Sequence, residues 1–431
     1  MSLAREAVAT VQFVDQYCAL YQDLFPDVRS FEHFKRLHIG LISEITRKSL
    51  PAIGKAVGLD NGQSLHHFFS HSPWEVRAFR ERRLAWLKRA LRGRPFILCI
   101  DETGDKKKGK STDYVARQYI GNLGKVENGL VSVNAYGVLD GITFPLLFEV
   151  FKPKSRLKAS DRYESKPQLA IGIIRALHAF DFCFQVVLTD SLYGESGDFV
   201  SALGELGLKF VVAVRENHGV WMGPGERIRF TQWREFDRLF SDGQKEIRYI
   251  RELIYGQRRP IRYYQITTDC EALPEESTWL VMTNLPGNIQ KEVGNVYGMR
   301  TWIEYGFKQI KNELGWADFR FTDYAEIEKW WEMVCSAYLM VSLQSDVFKE
   351  NQVPTQPQAL KEVHPPLSQH RWWNKGKGWK QVLNNLRLII QPFVSFCLLS
   401  PWLDLFPLPA LGEGFAHLIT LMNDFQGYVP I

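Results

Sequence analysis

Two apolar runs, each closed by an aspartate, constrain the fold of this chain more than any other feature. FILCID spans residues 96–101 and FQVVLTD spans 184–190. Both are short and continuously apolar, so both predict buried strands. Each delivers its acid at a strand's carboxyl end, where the sites of open α/β sheets lie. The acids are Asp101 and Asp190, with Glu102 and Asp105 as local rivals to the first and Glu195 and Asp198 near the second. A strand-terminal Asp can equally cap a helix or form a turn, and neither acid alone decides between these roles.

Between the two runs, LVSVNAYGVLD (130–140) alternates, turns at Asp140–Gly141 and returns as ITFPLLFEVF (142–151), the pattern of a hairpin. KPQLAIGIIRALHAF (166–180) predicts an amphipathic helix, and after Asp190 come a helix over 197–206 and the strand KFVVAV (209–214). Three strands joined by turns, then alternating helix and strand, is the element order of a ribonuclease-H-like α/β core. That core is expected to occupy 94–215. Residues 216–290 break the rhythm with the alternating, aromatic segments RIRFTQW, KEIRYIRELIY, RRPIRYYQITT and TWLVMTN, and predict a β-rich insertion. Residues 291–348 return to helix and the core. Residues 1–93 read as helical. Within them SLPAIGKAVGLDNGQSLHHFFS resembles a helix-turn-helix, with a turn at Gly58–Gly62 and a DNA-binding role expected. Residues 349–431 begin as a proline-bearing arm and end in an apolar helical tail, suited to DNA contact or dimerisation.

The net charge of +5 does not identify a partner, but its distribution narrows the choice. Arg77 to Arg94 carries eight Lys/Arg and one acid, Glu81, and Lys106, Lys107, Lys108 and Lys110 form a second cluster. Such clusters read as phosphate-contacting surface, or as a solvated helix face and a solvated loop. Gly104 is expected to make the turn that leads into the lysines. The six cysteines form no CxxC pair, which argues against a zinc knuckle and fits a reducing cytoplasm. The N-terminus lacks the apolar segment of a signal peptide. The most apolar late region, 388–409, is interrupted by Pro392, Pro401, Asp404 and Pro407, so no membrane span is expected.

The stretch Tyr297 to Lys311 reads YGMRTWIEYGFKQIK. At about 100° per residue, Tyr297, Arg300, Glu304 and Lys311 fall within about 60° of one another on a single helix. Met299, Ile303, Phe307, Ile310 and Leu314 fall on the opposite side. One face thus carries a carboxylate among a phenol and two cations. It is either a metal and phosphate site or an ordinary ion-pair stripe with Arg300 and Lys308. Asp101 and Asp190 tip the balance, because carboxylates converging on a point repel unless cations stand between them. Hard oxygen ligands suit Mg²⁺ or Mn²⁺. Two such ions can activate a water or a 3′-hydroxyl and stabilise the leaving oxygen of a phosphodiester.

Tyr297-x2-Arg300-x3-Glu304-x6-Lys311 has the spacing of the Y-R-E-K signature of IS4-like DDE transposases. The stretch from FILCIDETGDKKKGK resembles the first catalytic block of the related IS701 group, and VVLTDSLYGES resembles the second. The resemblance covers at least 96–320. It implies that Asp101, Asp190 and Glu304 form a catalytic, metal-binding triad. It also implies that Tyr297, Arg300 and Lys311 contact DNA near the cleaved end. A Trp of the insertion would hold a base flipped from a hairpin end, a role falling to Trp279, with Trp221 and Trp233 as rivals. The implied activity is cut-and-paste transposition of double-stranded DNA. The element's terminal inverted repeats would be bound and cleaved, and their 3′-hydroxyls joined to target DNA by a homodimer, in the nucleoid-associated cytoplasm. A domesticated, non-catalytic DNA-binding protein and a ribonuclease-H-like nuclease without strand transfer remain open as alternatives.

Overall fold

The computed structural model describes residues 5–109, 111–220, 224–240, 243–255, 260–348, 367–376, 378–423 and 425. Lys110, Trp221, Lys377 and most of the expected arm after 349 lie outside the described residues. The chain divides into two compact units, one of residues 1–92, 111–113 and 308–431, the other of 93–110 and 114–307. The first unit opens with helices α1 (Gln12–Ala19), α2 (Val28–Ile42), α3 (Leu50–Ala56), α4 (Gln63–Ser70) and α5 (Val76–Leu91). The link from α3 to α4 turns at Gly58 (φ 71°). It closes at Gly62, where a Cβ would meet the backbone of Leu50 and Pro51 within 3.0 Å.

The second unit is built on a long mixed sheet. Strand β1 (Phe96–Lys106) is followed by β2 (Ala116–Ile120), β3 (Lys125–Leu139) and β4 (Ile142–Val150). β3 pairs antiparallel with all three of the others. The β3–β4 hairpin turns through Asp140 (φ 52°) and Gly141 (φ 75°), the left-handed pair that a type I′ turn demands. Helix α6 (Lys166–Ala179) starts from a capping box between Ser165 and Gln168. It leads to β5 (Phe184–Thr189), parallel to β1, and then to α7 (Ser191–Gly194), α8 (Gly197–Glu205) and β6 (Phe210–Val214), parallel to β5. The sheet continues through β7 (Ile228–Phe230), β8 (Arg234–Leu239), β9 (Lys245–Tyr255), β10 (Arg262–Thr267) and β11 (Trp279–Thr283). Its order is β2-β3-β1-β5-β6-β11-β10-β9-β7, with β4 on β3 and β8 on β9. The polar segment REFDRL of β8 was not anticipated from the sequence.

Two local expectations need correction here. β1 does not end at Asp101. It runs five residues further, paired with β3 as far as Lys106↔Gly129, and Gly104 is in the strand instead of a turn. A Cβ at Gly104 would stand 2.8 Å from Ile120 Cγ2 and 3.1 Å from Val131 Cγ2, which accounts for the glycine by close packing. The second correction concerns the cation-bearing helix, which is two helices, α9 (Val293–Gly298) and α10 (Thr301–Leu314). Across the junction the amides of Arg300, Trp302 and Ile303 donate to carbonyls three residues back, at 3.0–3.1 Å. These shorter-span bonds tighten the chain and disturb the 3.6-residue repeat. Ile303, Phe307, Ile310 and Leu314 are buried as expected, while Met299 is only half-buried.

The first unit resumes with α11 (Tyr324–Leu343), α12 (Trp379–Leu405) and α13 (Pro409–Met422). Pro392 and Pro401 lie inside α12 and do not end it. Each removes one amide and one intrahelical bond, which a 27-residue helix survives. By length and composition α12 could cross a membrane. Its first half is buried within the unit at Val382, Leu383, Leu386, Ile389 and Ile390, whereas Leu398, Leu399, Trp402 and Leu405 further along are exposed. Much of the basic stretch on α5 is consumed internally. Arg83 and Glu332 are both fully buried and paired at 3.0 Å, Arg80 reaches Glu332 and Glu328, and Arg82 pairs with Asp23 at 2.7 Å. These three arginines hold helices together and are not open phosphate contacts. Glu332→Gln leaves Arg83 without its countercharge. It should cost about 3–5 kcal/mol of unfolding free energy in a urea titration; a loss below about 1 kcal/mol would mean the pair is not buried in solution.

Candidate active site

Asp101 stands on β1 two residues past the last pair with β5, Cys99↔Leu188, and Asp190 follows directly on the end of β5. The sheet therefore opens beside Asp101 on the β5 side. Two adjacent parallel strands thus deliver the two acids together, through their register alone. Asp190 also caps α7, its Oδ1 accepting from the Leu192 amide at 3.0 Å. The α7–β6 contact is close enough that a Cβ at Gly194 would stand 1.9 Å from the Ala213 carbonyl oxygen.

Glu304 is carried in from much later in the chain. The α9–α10 junction is tied to β1 by Cys99 Sγ, 3.8 Å from the Met299 carbonyl. The first turns of α10 are seated on β3 through Gly306. A Cβ there would meet Tyr136 Cε1 at 2.8 Å, and Phe307 packs edge-on to the Tyr136 ring with centroids 5.6 Å apart. Arg300, at the junction, ties the acids together. Its Nη1 donates to Asp101 Oδ2 at 2.9 Å and its Nη2 to Glu304 Oε1 at 3.3 Å. Asp101 Oδ1 accepts from the Glu102 amide at 2.8 Å.

Despite that guanidinium, the Asp101 carboxyl is pushed up to about 7. Burial is the largest cause and the neighbouring Asp190 carboxylate the second, with Arg300 opposing both. Burial works against the Arg300 guanidinium, but Tyr297 first and then Asp101, Glu304 and Asp190 raise it. Burial raises the Tyr297 phenol, which lies in the electrostatic reach of Arg300, Asp190 and Asp101. Two of the rivals are otherwise engaged. Glu102 pairs with Lys166 at 2.5 Å, and Glu195 accepts from the Arg215 amide at 2.7 Å and meets His218 Nδ1 at 3.1 Å.

The other expected residues spread outward from this point. Tyr297, on α9, is buried, with its ring edge-on to Trp279 at 6.1 Å. Two guanidiniums lie over the Trp279 ring, those of Arg238 at 5.1 Å and Arg248 at 4.4 Å. Trp233 carries Arg251 at 4.3 Å. Lys311 lies seven residues beyond Glu304, two turns along α10. Lys106 is about 16 Å from Asp101 along β1 and pairs with Glu127 at 3.2 Å. Lys107 and Lys108 follow it in a loop held by Asn128 Nδ2, which donates to the carbonyls of Lys107 and Gly109 at 2.8 and 2.7 Å. Three residues at the site went unnoticed in the sequence. Arg238 and Arg248 come from β8 and β9. The buried Tyr193, on α7, has a hydroxyl without a hydrogen-bond partner among the described residues. Its phenol is raised by burial and by Asp101, Glu102 and Asp190. Only the Arg-rich alternation of 227–251 hinted at the first two.

Among the described residues, no three His, Cys, Asp or Glu side chains stand close enough together to hold a metal ion. The donor chemistry nevertheless fits a hard divalent cation. Asp101 and Asp190 offer oxygen donors whose mutual repulsion the single guanidinium does not cancel. A folded-state value near 7 lies above the ordinary Asp range of about 3.9. Protonated Asp101 thus stabilises the fold at low pH, and the benefit is lost as pH rises towards 7. Without metal, Asp101→Asn should gain stability over the wild type as pH rises from about 4 to about 7, by on the order of a few kcal/mol, read from urea titrations across that range. A difference that does not change with pH would mean that Asp101 titrates normally.

Comparison with known proteins defines the class. Residues 21–230 match the family described as DDE superfamily endonuclease, and residues 161–340 match the transposase DDE domain. The probable transposase for insertion sequence element IS701 from Microchaete diplosiphon is 58% identical over 325 residues, 75% of this chain and 86% of that protein. The chain belongs to the DDE transposases, close to the IS701 group. It is a metal-dependent DNA endonuclease and transposase of an insertion sequence, with DNA as its partner, and its DDE domain implies a ribonuclease-H-like core.

Proposed function

We propose that this transposase binds the terminal inverted repeats of its own element, cleaves at their ends and transfers the freed 3′-hydroxyls into target DNA by cut-and-paste. Asp101, Asp190 and Glu304 are the catalytic triad and the ligands of two Mg²⁺ ions, for which Mn²⁺ substitutes. The observation that carries this reading is the Arg300 bridge from Asp101 to Glu304, residues 203 apart, beside an Asp101–Asp190 pair short of positive charge. Bound divalent cations would supply Lewis acidity for activating a water or 3′-hydroxyl. Asp101 and Asp190, once both ionised, provide the oxygen donors on the sheet, and Glu304 completes the set from α10. Arg300 is placed to exchange a carboxylate for a phosphate oxygen as DNA arrives. Tyr297 offers a phenol to an unpaired nucleotide, and Trp279 a ring to a flipped base if the ends pass through hairpins. Lys311 and the cluster Lys106, Lys107, Lys108 and Lys110 contact flanking phosphates.

In this reading residues 1–93 recognise the ends through α3 and α4, and β7–β11 form an insertion into the core of 94–215 and 291–348. The segment 349–431 supplies DNA contacts or the interface of a homodimer, one protomer to each end. Incubating the protein with labelled transposon ends, target DNA and Mg²⁺ tests this proposal. Cleavage followed by joining is expected. Binding without cleavage would make it a domesticated DNA-binding protein, and cleavage without joining a nuclease.

A further inference from the structure

Arg238 and Arg248 are an unusual pair. β8 and β9 pair Phe236↔Arg248 and Arg238↔Glu246, which sets the two arginines diagonally on one face of the sheet. Each is only 6% exposed. Both guanidiniums lie over the Trp279 ring, and Arg238 also lies over Phe240 at 4.8 Å. Arginine cannot shed its proton in a protein, so two full charges are held here away from water. Yet Arg238 Nε and Arg248 Nη1 are buried donors with no hydrogen-bond partner among the described residues. Buried polar groups are almost always satisfied, and an unsatisfied pair of cationic donors calls for an acceptor.

The acceptor in place is a poor match. Glu246 Oε2 takes the Arg248 Nε hydrogen bond at 2.5 Å, but the Glu246 side chain is 40% exposed. It is bonded to Arg248 and acts on Arg238 only through space. Burial depresses the Arg238 guanidinium first, and the like charges of Arg248 and Arg300 depress it further. Arg238 and Arg248 thus share one carboxylate, whose side chain is 40% exposed and can swing into solvent.

Its position says what replaces that carboxylate. A Cβ on Gly298 would stand 3.3 Å from Arg238 Nε, so the guanidinium packs on the backbone turn between Tyr297 and Arg300. Arg300 is the residue bonded to Asp101 and Glu304. An anion held by Arg238 and Arg248 thus borders the acids through one intervening side chain. Guanidinium forks match the tetrahedral oxygens of phosphate better than a single carboxylate does. We propose that Arg238 and Arg248, backed by Trp279, form a binding site for one phosphate group of the DNA strand that enters the active site. Glu246 is the internal carboxylate that this phosphate displaces. The site deepens the reading of DNA-end binding given above, and rests on it for the identity of the strand.

Two sets of measurements separate the proposal from that reading. In the first, inorganic phosphate is added to the metal-free full chain at constant ionic strength and melting is followed. Phosphate should raise the melting temperature of the wild type and not of the Arg238→Gln/Arg248→Gln variant. Equal shifts, or none in either, would overturn the site whether or not the protein cleaves DNA. In the second, binding of the element's terminal duplex is measured against salt, with 5′-phosphate and 5′-hydroxyl ends compared. Each Arg→Gln change should weaken binding about tenfold and lower the salt slope by about one. A loss confined to the 5′-phosphorylated duplex assigns the site to a terminal phosphate, and a loss for both assigns it to a backbone diester. Glu246→Gln distinguishes binding from mere packing. Removing the competing carboxylate should tighten binding a fewfold, opposite in sign to the arginine variants. Weakening by Glu246→Gln as large as that by Arg248→Gln would show the pair to be structural and would overturn the proposal. Arg248→Lys, which keeps the charge and loses the fork, should recover the salt slope but only part of the affinity.

Discussion

Changing Asp101, Asp190 or Glu304 singly to its amide should abolish cleavage of transposon-end DNA, by about 10³-fold or more, the scale of losing preorganised charge at a transition state. End binding should stay within about twofold, because an amide keeps the volume and removes one negative charge. The three losses have different physical roots. At Asp101 the amide removes the acid shared between Arg300 and the Asp190 neighbourhood. At Asp190 it keeps a side-chain oxygen able to cap α7, so the fold is retained while a donor is lost. At Glu304, half-exposed on α10, little stability is at stake and the effect should fall almost wholly on turnover. Full activity in any one variant would remove that residue from the triad.

Arg300→Ala has the second-largest expected effect. Arg300 touches two of the three acids, and without it Asp101 loses the guanidinium that opposes its repulsion from Asp190. Cleavage should fall about a hundredfold, end binding should weaken, and the salt slope should drop by about one. Arg300→Lys should restore part of the slope but little of the rate, since one ammonium cannot reproduce two divergent guanidinium bonds. An unchanged salt slope in Arg300→Ala would count against direct phosphate contact and leave Arg300 as an internal brace for the acids.

The core was legible in the sequence where burial alone shapes a segment. FILCID, FQVVLTD and KFVVAV are strands because nothing but a sheet interior suits them, and Asp140–Gly141 specifies its turn. Legibility stopped where distant residues decide. Glu102 to Lys106 looks like a polar loop, yet it remains strand because β3 continues beside it after β5 has ended. Helical arithmetic treated Tyr297 to Lys311 as one ideal cylinder, and the tightened turn at Gly298–Arg300 divides it. The arithmetic still paired Arg300 with Glu304, because those two residues fall on either side of a single turn. It could not pair Arg300 with Asp101, a contact made by the fold. The α5 arginines read as a basic surface because their buried partner, Glu332, lies some 250 residues away in sequence. The cluster of Arg238, Arg248 and Trp279 was invisible for the same reason, since three strands have to assemble before the guanidiniums meet the ring.

The central claim is that Asp101, Asp190 and Glu304 converge on the same bound metal. Fe²⁺ in place of Mg²⁺, with hydrogen peroxide and ascorbate, tests it most directly, because hydroxyl radicals formed as the bound Fe²⁺ reduces peroxide cut the polypeptide beside its ligands. On the full chain bound to transposon-end DNA, cuts are expected near residues 101, 190 and 304 together, competed away by Mg²⁺ and lost in Asp101→Asn. Cuts elsewhere, or at one of these positions without the other two, would contradict a shared metal site.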